Sequence, residues 1–328
     1  MNWKKLFQLL FVLIICATFL KPLSTLASGQ FINGSYGGKT YKLYIPSHYD
    51  SNLEYPLYVM LHGCSQDATQ FSVGTKMNTL AEEKGFLVLY PEQSFYANMS
   101  KCWNWFDPAH QKRGSGEPSV IAGMVNVIHN QYSINENNVY VAGLSAGAAM
   151  SVIMAATYPD VFSGAGVGAG LEYRAANNVL NAYTAMNSGG PNPAEQGRLA
   201  YHEMGKFSKK MPVIVFHGTA DYTVKLINGD QVITQWAKTN DLSANNIEDD
   251  WIDDEAENTE TLQVPNGRTY TISHYEGRDG KVLMKKVFVE GMGHAWSGGS
   301  AQGSYTDPQG PDASRMMWEF FSSSSNDE

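Results

Sequence analysis

A serine stands between two glycines in the string Gly143-Leu144-Ser145-Ala146-Gly147. A buried-strand pattern ends directly before this string and a helical pattern begins at Ala146, which places the serine on a strand-to-helix turn. Flanking glycines permit a sharp turn that lifts the hydroxyl clear of a sheet, and the Ala146 N–H at the helix N-terminus points to where an oxyanion would form. We predict that Ser145 is a nucleophile and Ala146 an oxyanion donor; the alternative is a glycine-rich turn with an incidental serine.

A serine hydroxyl needs a base to remove its proton. Of the eight histidines, His294 lies late in the chain, in a loop of small residues that follows the apolar run 287–289. This position corresponds to the end of a strand, where the active sites of open α/β sheets lie. We predict that His294 is the base, with His274, inside a predicted strand, as the weaker candidate.

The acid that orients the base should follow a strand between the serine and the histidine. The run 213–216 leads into His217-Gly218-Thr219-Ala220-Asp221, so Asp221 stands on a loop at a strand end. It can hold the imidazole tautomer and stabilise the imidazolium. Asp160, the alternative, follows the elbow helix too closely to reach round to the histidine.

A second oxyanion donor is expected from an earlier loop. His62-Gly63-Cys64 follows the apolar run 57–61 directly, which suits the backbone N–H of Cys64. His62 is expected to orient this loop by hydrogen bonding rather than to act as a base.

The N-terminus has the pattern of a secretory signal. Lys4 and Lys5 precede an apolar run from 6 to 20, and small residues precede a cleavage position after Ala27. An uncleaved membrane anchor is the alternative, but about 15 apolar residues fall short of the roughly 20 that span a bilayer. We expect residues 1–27 to be removed and the protein to be secreted and extracellular, with no membrane attachment after cleavage.

Loss of the signal leaves Cys64 and Cys102, an even number of cysteines in an oxidising compartment. A disulfide between them would pin the oxyanion loop to the segment 103–105; two buried free thiols are the alternative. The signal carries three lysines and no acid, so its removal changes the formal charge from −9 to −12. Such an acidic protein is a poor ligand for nucleic acid.

Strand and helix patterns alternate through most of the chain, which predicts an α/β fold with a mostly parallel central sheet and helices on both faces. The predicted strands are 57–61, 86–90, 139–142 and 213–216, and the predicted helices are 118–131 and 146–158. Residues 28–321 form one domain, and 322–328 form a frayed, disordered tail. Residues 171–211 are expected to form a helical excursion over the sheet edge.

The segment 246–281 begins with an acidic cluster and continues into a predicted hairpin around Pro265-Asn266-Gly267. The acids lack the Asp-x-Asp-x-Asp-Gly spacing of a calcium loop, so a solvated loop is the better interpretation. We predict neither a metal nor a cofactor.

Six strings occur together in this chain: HGCSQDA, KCWNWFDP, GEPSVIAGMV, GLSAGAAMS, FHGTADYTV and EGMGHAWSGG. Together they resemble the extracellular poly(3-hydroxybutyrate) depolymerases and their esterase relatives, which include feruloyl and acetyl esterases. The resemblance covers about residues 35–320. It implies an α/β-hydrolase fold, a triad of Ser145, Asp221 and His294, oxyanion donors at Cys64 and Ala146, and a matching pair of cysteines.

The substrate implied by the resemblance is a short-chain poly(3-hydroxyalkanoate), or another polyester or small ester. Trp103, Trp105 and Trp296 could line an apolar groove for it, or each could belong to the core. Family members that degrade polymer often carry a separate substrate-binding domain; none follows residue 320, which leads us to expect slow attack on crystalline polymer. The alternatives are a feruloyl or acetyl esterase acting on plant polysaccharide and, from another class, an inactive surface-binding protein.

Overall fold

The computed structural model describes residues 29–325, built around one sheet of ten strands. The predicted signal, 1–27, and the last three residues of the predicted tail lie outside this range. The strands are β1 Gln30–Tyr36, β2 Lys39–Ile45, β3 Tyr55–Leu61, β4 Leu87–Pro91, β5 Ile134–Leu144, β6 Gly164–Gly168, β7 Val213–Gly218, β8 Asn258–Gln263, β9 Thr269–Glu276 and β10 Val282–Val289.

The strand order is β1-β2-β4-β3-β5-β6-β7-β10-β9-β8. Strands β3 to β7 and β10 are parallel, whereas β1, β2, β8 and β9 add antiparallel ladders at the two sides. A two-stranded ladder joins β11 Trp296–Ser297 to β12 Thr306–Asp307. The predicted mostly parallel sheet is therefore confirmed.

Eight α-helices are described in residues 29–325. They are α1 Ala68–Thr75, α2 Met77–Lys84, α3 Gly116–Gln131, α4 Ala146–Thr157, α5 Val179–Ser188, α6 Pro193–Met204, α7 Ile227–Asn245 and α8 Ala313–Ser325. The two predicted helices correspond to α3 and α4 within two residues at each end. Within the described residues, none of these helices is long and apolar enough to cross a membrane.

The core lies on both faces of the sheet because successive side chains of a strand point to opposite faces. In β3, Leu57, Val59 and Leu61 pack into one apolar cluster, and Tyr58 and Met60 pack into the other. All five are at most 1% exposed, which explains why the run is continuously apolar rather than alternating.

The segment 171–211 is helical as predicted, but it does not cover an outermost strand of the sheet. It connects β6 to β7, which are neighbours in the middle of the sheet. Gly197 of α6 packs on the Gln235 carbonyl and Lys238 of α7. The excursion therefore packs on α7, and its two ends are anchored on adjacent central strands.

Two further predictions concern the hairpin and the C-terminal tail: the hairpin is confirmed, and the disordered tail is wrong for part of its length. The predicted hairpin is formed by β8 and β9, with Asn266 at φ 56° in its turn. The predicted tail is wrong for residues 322–325, because α8 continues to Ser325. The Ser323 and Ser324 hydroxyls donate to the Phe320 carbonyl oxygen, which gives these polar residues partners within the helix.

Candidate active site

Ser145 has an unusual backbone conformation at the junction of β5 and α4. Its φ of 57° and ψ of −120° lie outside the regions that L-residues ordinarily occupy. A Cβ at Gly143 would lie 2.4 Å from the Gly147 carbonyl carbon, and one at Gly147 would lie 2.0 Å from the Leu61 oxygen. Only glycine fits at these two positions, so the local sequence produces the predicted elbow. The Ser145 N–H donates to the Gly168 carbonyl oxygen at 2.8 Å, which fixes the elbow to β6.

Asp221 and His294 meet beyond the ends of β7 and β10. The distance from His294 Nδ1 to Asp221 Oδ2 is 2.7 Å, and the other carboxylate oxygen accepts from the N–H groups of Thr223 and Val224 at 2.8 and 2.9 Å. Because an ionised carboxylate only accepts hydrogen bonds, Nδ1 must carry the proton, which leaves Nε2 free to act as a base.

The electrostatics of this pair favour an ionised acid. Burial opposes ionisation of the Asp221 side chain, but the hydrogen bond and charge of His294, the Val224 N–H and His217 together hold the pKa of Asp221 below its ordinary value. The carboxylate therefore stays charged at neutral pH and can stabilise a proton on the imidazole.

The acid and base loops are joined by backbone contacts. β7 and β10 are parallel neighbours, with Gly218 opposite Val289. Beyond the strands, the Ala220 N–H donates to the Met292 carbonyl oxygen at 3.0 Å, and a Cβ at Gly218 would lie 2.1 Å from that oxygen. The last residue of β7 must therefore be glycine for the histidine loop to approach it this closely.

The three predicted triad residues lie at the same edge of the sheet, but only two of them are hydrogen bonded. No hydrogen bond joins the Ser145 hydroxyl to His294 in the described structure. Such bonds in unliganded sites commonly tighten when substrate binds. Gly168, the acceptor for the Ser145 N–H, is next to the ring of Trp296 in the histidine loop, where a Cβ would make contacts of 3.5 Å.

The loop His62-Gly63-Cys64 packs against the elbow. A Cβ at Gly63 would lie 3.7 Å from Ser145 Cβ, and the Cys64 N–H makes no hydrogen bond to any of residues 29–325. The first N–H of an α-helix, here that of Ala146, likewise lacks an intrahelical acceptor. These two N–H groups suit an oxyanion site, and their role stays a prediction.

His62 holds this loop in place, in keeping with its predicted orienting role. Its Nδ1 is 2.7 Å from the Gly63 carbonyl oxygen, and its Nε2 accepts from the Gln93 N–H at 3.0 Å. Burial lowers the pKa of His62 to about 4, so the ring is neutral and Nδ1 donates. In a trans peptide the carbonyl and the next N–H point in opposite directions, so this bond fixes the direction of the Cys64 N–H.

The predicted disulfide between Cys64 and Cys102 is present. It ties the oxyanion loop to the segment that carries Trp103, whose indole N–H donates to the His62 carbonyl oxygen at 3.1 Å. The alternative of two free thiols is excluded.

The prediction of an apolar substrate groove at Trp103, Trp105 and Trp296 is wrong. Their exposed fractions are 0%, 5% and 2%, and they pack in the two core clusters. The indole N–H of Trp296 donates to the Ser314 hydroxyl at 3.2 Å, so this side chain fastens the histidine loop to α8. Trp103 and Trp296 therefore support the oxyanion and histidine loops from within the core.

The alternative catalytic residues lie elsewhere. His274 is within β9 and pairs with Glu260 of β8 at 3.4 Å. Asp160 pairs with Arg113 at 2.6 Å after the end of α4. Asp160 therefore makes a structural ion pair, and His274 contacts a neighbouring strand away from Ser145.

Two supporting residues were missed by the sequence analysis. Gln66 accepts from the Gly63 N–H at 2.8 Å and anchors the oxyanion loop. His217 is fully buried and its Nε2 is 2.8 Å from the Val224 carbonyl oxygen, so it braces the turn that binds Asp221. The quoted motifs contain both residues, but nothing in their spacing reveals their hydrogen bonds.

A cavity of about 410 Å³ lies between α5 and the segment 174–177. Its lining includes Gln111, Arg174 and Gln196, whereas Ser145, Asp221 and His294 do not line it.

The described residues contain no group of three or more His, Cys, Asp or Glu side chains arranged to hold a metal ion.

Comparison with known proteins identifies several relatives of this chain. Poly(3-hydroxyalkanoate) depolymerase C of Paucimonas lemoignei is 35% identical over 253 residues, which are 76% of this chain and 57% of that protein. Acetylxylan esterase A of Talaromyces purpureogenus is 34% identical over 203 residues, which are 60% of this chain and 52% of that protein. The match therefore spans just over half of the length of these two curated relatives.

The solved acetyl xylan esterase from Aspergillus awamori shares the fold, with a TM-score of 0.69 at 23% identity over 90% of this chain and 99% of that one. The α/β-hydrolase fold is thus confirmed. Residues 39–248 match the family model described as Esterase PHB depolymerase, which is more than half of the chain. The chain belongs to this Esterase PHB depolymerase family of carboxylic ester hydrolases.

Proposed function

We propose that the protein is a secreted serine esterase that hydrolyses ester bonds of short-chain poly(3-hydroxyalkanoate), such as poly(3-hydroxybutyrate), through an acyl-enzyme intermediate. The observation that carries the proposal is the Asp221–His294 hydrogen bond of 2.7 Å at the sheet edge that also holds the strained Ser145. The depolymerase relative supports the choice of a polyester.

Acylation begins when the Ser145 oxygen attacks the ester carbonyl and His294 Nε2 takes the hydroxyl proton. The Cys64 and Ala146 N–H groups stabilise the negative oxygen of the tetrahedral intermediate. When the intermediate collapses, the bond to the alkoxide breaks and His294 returns the proton to it. The products are an acyl ester on Ser145 and a polymer end that carries a free hydroxyl.

Deacylation repeats these steps with water. His294 takes a proton from the water that attacks the acyl ester, and it then gives the proton to the Ser145 oxygen as that bond breaks. A carboxylic acid is released. Asp221 keeps the proton on Nδ1 throughout and stabilises the charged imidazolium.

A second candidate is an acetyl or feruloyl esterase that acts on plant polysaccharide. The acetylxylan esterase relative, at nearly the same identity as the depolymerase, favours it. The same catalytic chemistry serves both candidates, so the difference lies in the surface that surrounds the serine.

Product release from three substrates separates the candidates. Purified protein is incubated with amorphous poly(3-hydroxybutyrate) granules, acetylxylan and feruloylated arabinoxylan, and soluble hydroxybutyrate, acetate and ferulate are measured. The proposal predicts that hydroxybutyrate is released fastest. Faster release of acetate or ferulate would favour the second candidate, and failure to hydrolyse even a chromogenic acetyl ester would leave an inactive surface-binding protein.

A further inference from the structure

The most exposed apolar side chains are gathered at the sheet edge that holds Ser145. In residues 29–325, five large apolar side chains are more than 60% exposed: Tyr96 (97%), Met99 (80%), Leu180 (78%), Tyr183 (63%) and Tyr222 (80%). All five lie on segments that follow the C-terminal ends of parallel strands, which meet at one edge of the sheet. Isolated exposed apolar residues are common in soluble proteins, but such a concentration marks an interaction surface.

Tyr96 and Met99 lie beside the oxyanion loop. Their segment follows β4 and ends at Ser100, whose carbonyl oxygen accepts from the Ser65 N–H at 2.7 Å. Cys102, two residues later, is bonded to Cys64. The loop that presents these two side chains is thus held against the loop that presents the oxyanion donor.

Tyr222, Leu180 and Tyr183 lie on the opposite side of the site. Tyr222 follows Asp221 directly in the chain. Helix α5, which carries Leu180 and Tyr183, ends against the same loop, where the Met186 carbonyl oxygen accepts from the Lys225 N–H at 2.8 Å. Phe95 and Val179, 55% and 51% exposed, extend the two groups. We call these seven residues the apolar rim.

The two longer segments of the rim carry no charge. Residues 93–100 and 175–194 contain no Asp, Glu, Lys or Arg, although 17% of the chain is charged and its net charge is −9. At Tyr222 the rim does meet a charge, because Lys225 Nζ lies 4.4 Å from the centre of its ring. The two uncharged segments, in an acidic protein, fit a neutral partner, since they neither attract nor repel ions. They suit poorly an anionic membrane, which binds basic faces.

We propose that the apolar rim is an adsorption face for solid aliphatic polyester, which holds the enzyme with Ser145 facing the polymer. This inference rests on the proposed function. Such a polymer offers methyl and methylene groups for contact with Leu180, Met99 and the aromatic rings, and ester carbonyls that accept from tyrosine hydroxyls. A polysaccharide surface, dense in hydroxyl groups, would leave the aliphatic side chains without apolar contacts.

Adsorption is measured separately from catalysis by placing each variant in a Ser145→Ala background. The rim variants are Tyr96→Ser with Met99→Ser, and Leu180→Ser with Tyr183→Ser. The matched control is Leu53→Ser with Ile247→Ser, because each of these side chains is 58% exposed but lies at the other edge of the sheet. Protein depletion over amorphous poly(3-hydroxybutyrate) film and over insoluble xylan gives the two binding isotherms.

We expect each rim pair to weaken adsorption to the polyester at least fivefold, whereas the control pair changes it less than twofold. In proteins that retain Ser145, the ratio of film erosion to hydrolysis of dissolved p-nitrophenyl acetate should fall by a similar factor. Equal losses in the rim and control pairs, or unchanged adsorption in the rim pairs, would overturn the inference.

The proposed function and the rim can fail separately. If the protein with Ser145 intact fails to erode the film although rim-dependent adsorption is seen, the polyester substrate is wrong and the adsorption face stands. If it erodes the film while the rim pairs adsorb normally, the face is wrong and the substrate stands. Rim-dependent adsorption to xylan but not to polyester contradicts the adsorption face, and it contradicts the polyester substrate as well if the film is not eroded.

Discussion

The carboxylate of Asp221 and the imidazole of His294 are joined by a hydrogen bond of 2.7 Å, although 73 positions separate them in the chain. The carboxylate is completely buried and the imidazole side chain is 12% exposed. The bond fixes which ring nitrogen bears the proton, and so it determines whether the other nitrogen can accept one from Ser145.

Asp221→Asn should test this relationship directly. The amide can donate to Nδ1 and stabilise the wrong tautomer, so we expect kcat for a soluble acyl ester to fall by about 10⁴-fold. The control is Asp160→Asn, which removes the acid that pairs with Arg113 and should leave kcat within twofold. A larger loss in the control than in Asp221→Asn would assign the acid to Asp160 instead.

Ser145→Ala should lower turnover by about 10⁶-fold, the scale seen when the nucleophile of a serine hydrolase is removed. Diisopropyl fluorophosphate should label Ser145 alone, as read by peptide mass spectrometry. Retention of more than a few per cent of activity, or labelling of another serine, would contradict its assignment as the nucleophile.

Loss of the disulfide should affect stability more than catalysis. Cys64→Ala with Cys102→Ala opens a loop with a sequence separation of 38, and loop-closure entropy predicts a loss of about 4 kcal/mol in the free energy of unfolding. The Cys64 N–H remains in this variant, so turnover should fall only modestly. Urea unfolding and initial rates measure the two effects.

The intact mass of the wild-type protein, measured with and without reduction, tests for the disulfide directly. An alkylating reagent should add mass only after the protein has been reduced. Two thiols that react without reduction would mean that the bond is absent from the isolated protein.

Glu172 should make the protein less stable as the pH rises. Its side chain is buried, neither carboxylate oxygen has a partner among the described residues, and burial raises its pKa to about 9. The folded protein therefore keeps a proton that the unfolded chain loses above its ordinary pKa of 4.5. The free energy of unfolding should consequently fall as the pH rises from about 5 to about 9.

Glu172→Gln removes this titration and should flatten the pH dependence. Between pH 6 and pH 9 the free energy of unfolding should fall in the wild type but not in Glu172→Gln. Relative to the wild type, the variant should therefore gain at least about 1 kcal/mol of stability over this range. Urea unfolding at both values tests it, with the exposed Glu255→Gln as control. A pH-independent difference would show that Glu172 is ionised in the folded protein.

Local sequence predicted the elbow because most of the residues that shape it are adjacent. Strand, glycines, serine and helix occupy one continuous segment, 139–157. The need for glycine at Gly143 arises partly within this segment, from the Gly147 carbonyl, whereas at Gly147 it arises from the Leu61 carbonyl of the neighbouring strand β3. The positions of Asp221 and His294 were also predictable, since each follows a strand and strands of a parallel sheet end at one edge. Their hydrogen bond required the adjacency of β7 and β10, which is a property of the sheet order.

Tertiary structure alone decided which aromatic residues are core and which are surface. Trp103 and Trp296 resemble groove residues in the sequence, but they are covered by packing against segments distant in the chain, whereas Tyr96 and Tyr222 are left exposed. The hydrophobicity of a residue is the same whichever way its side chain points. The amino-acid composition therefore cannot predict on which side of a loop an apolar ring will lie. The sequence by itself determined the chemistry of the serine, and the packing of distant segments decided the surface that a substrate meets around it.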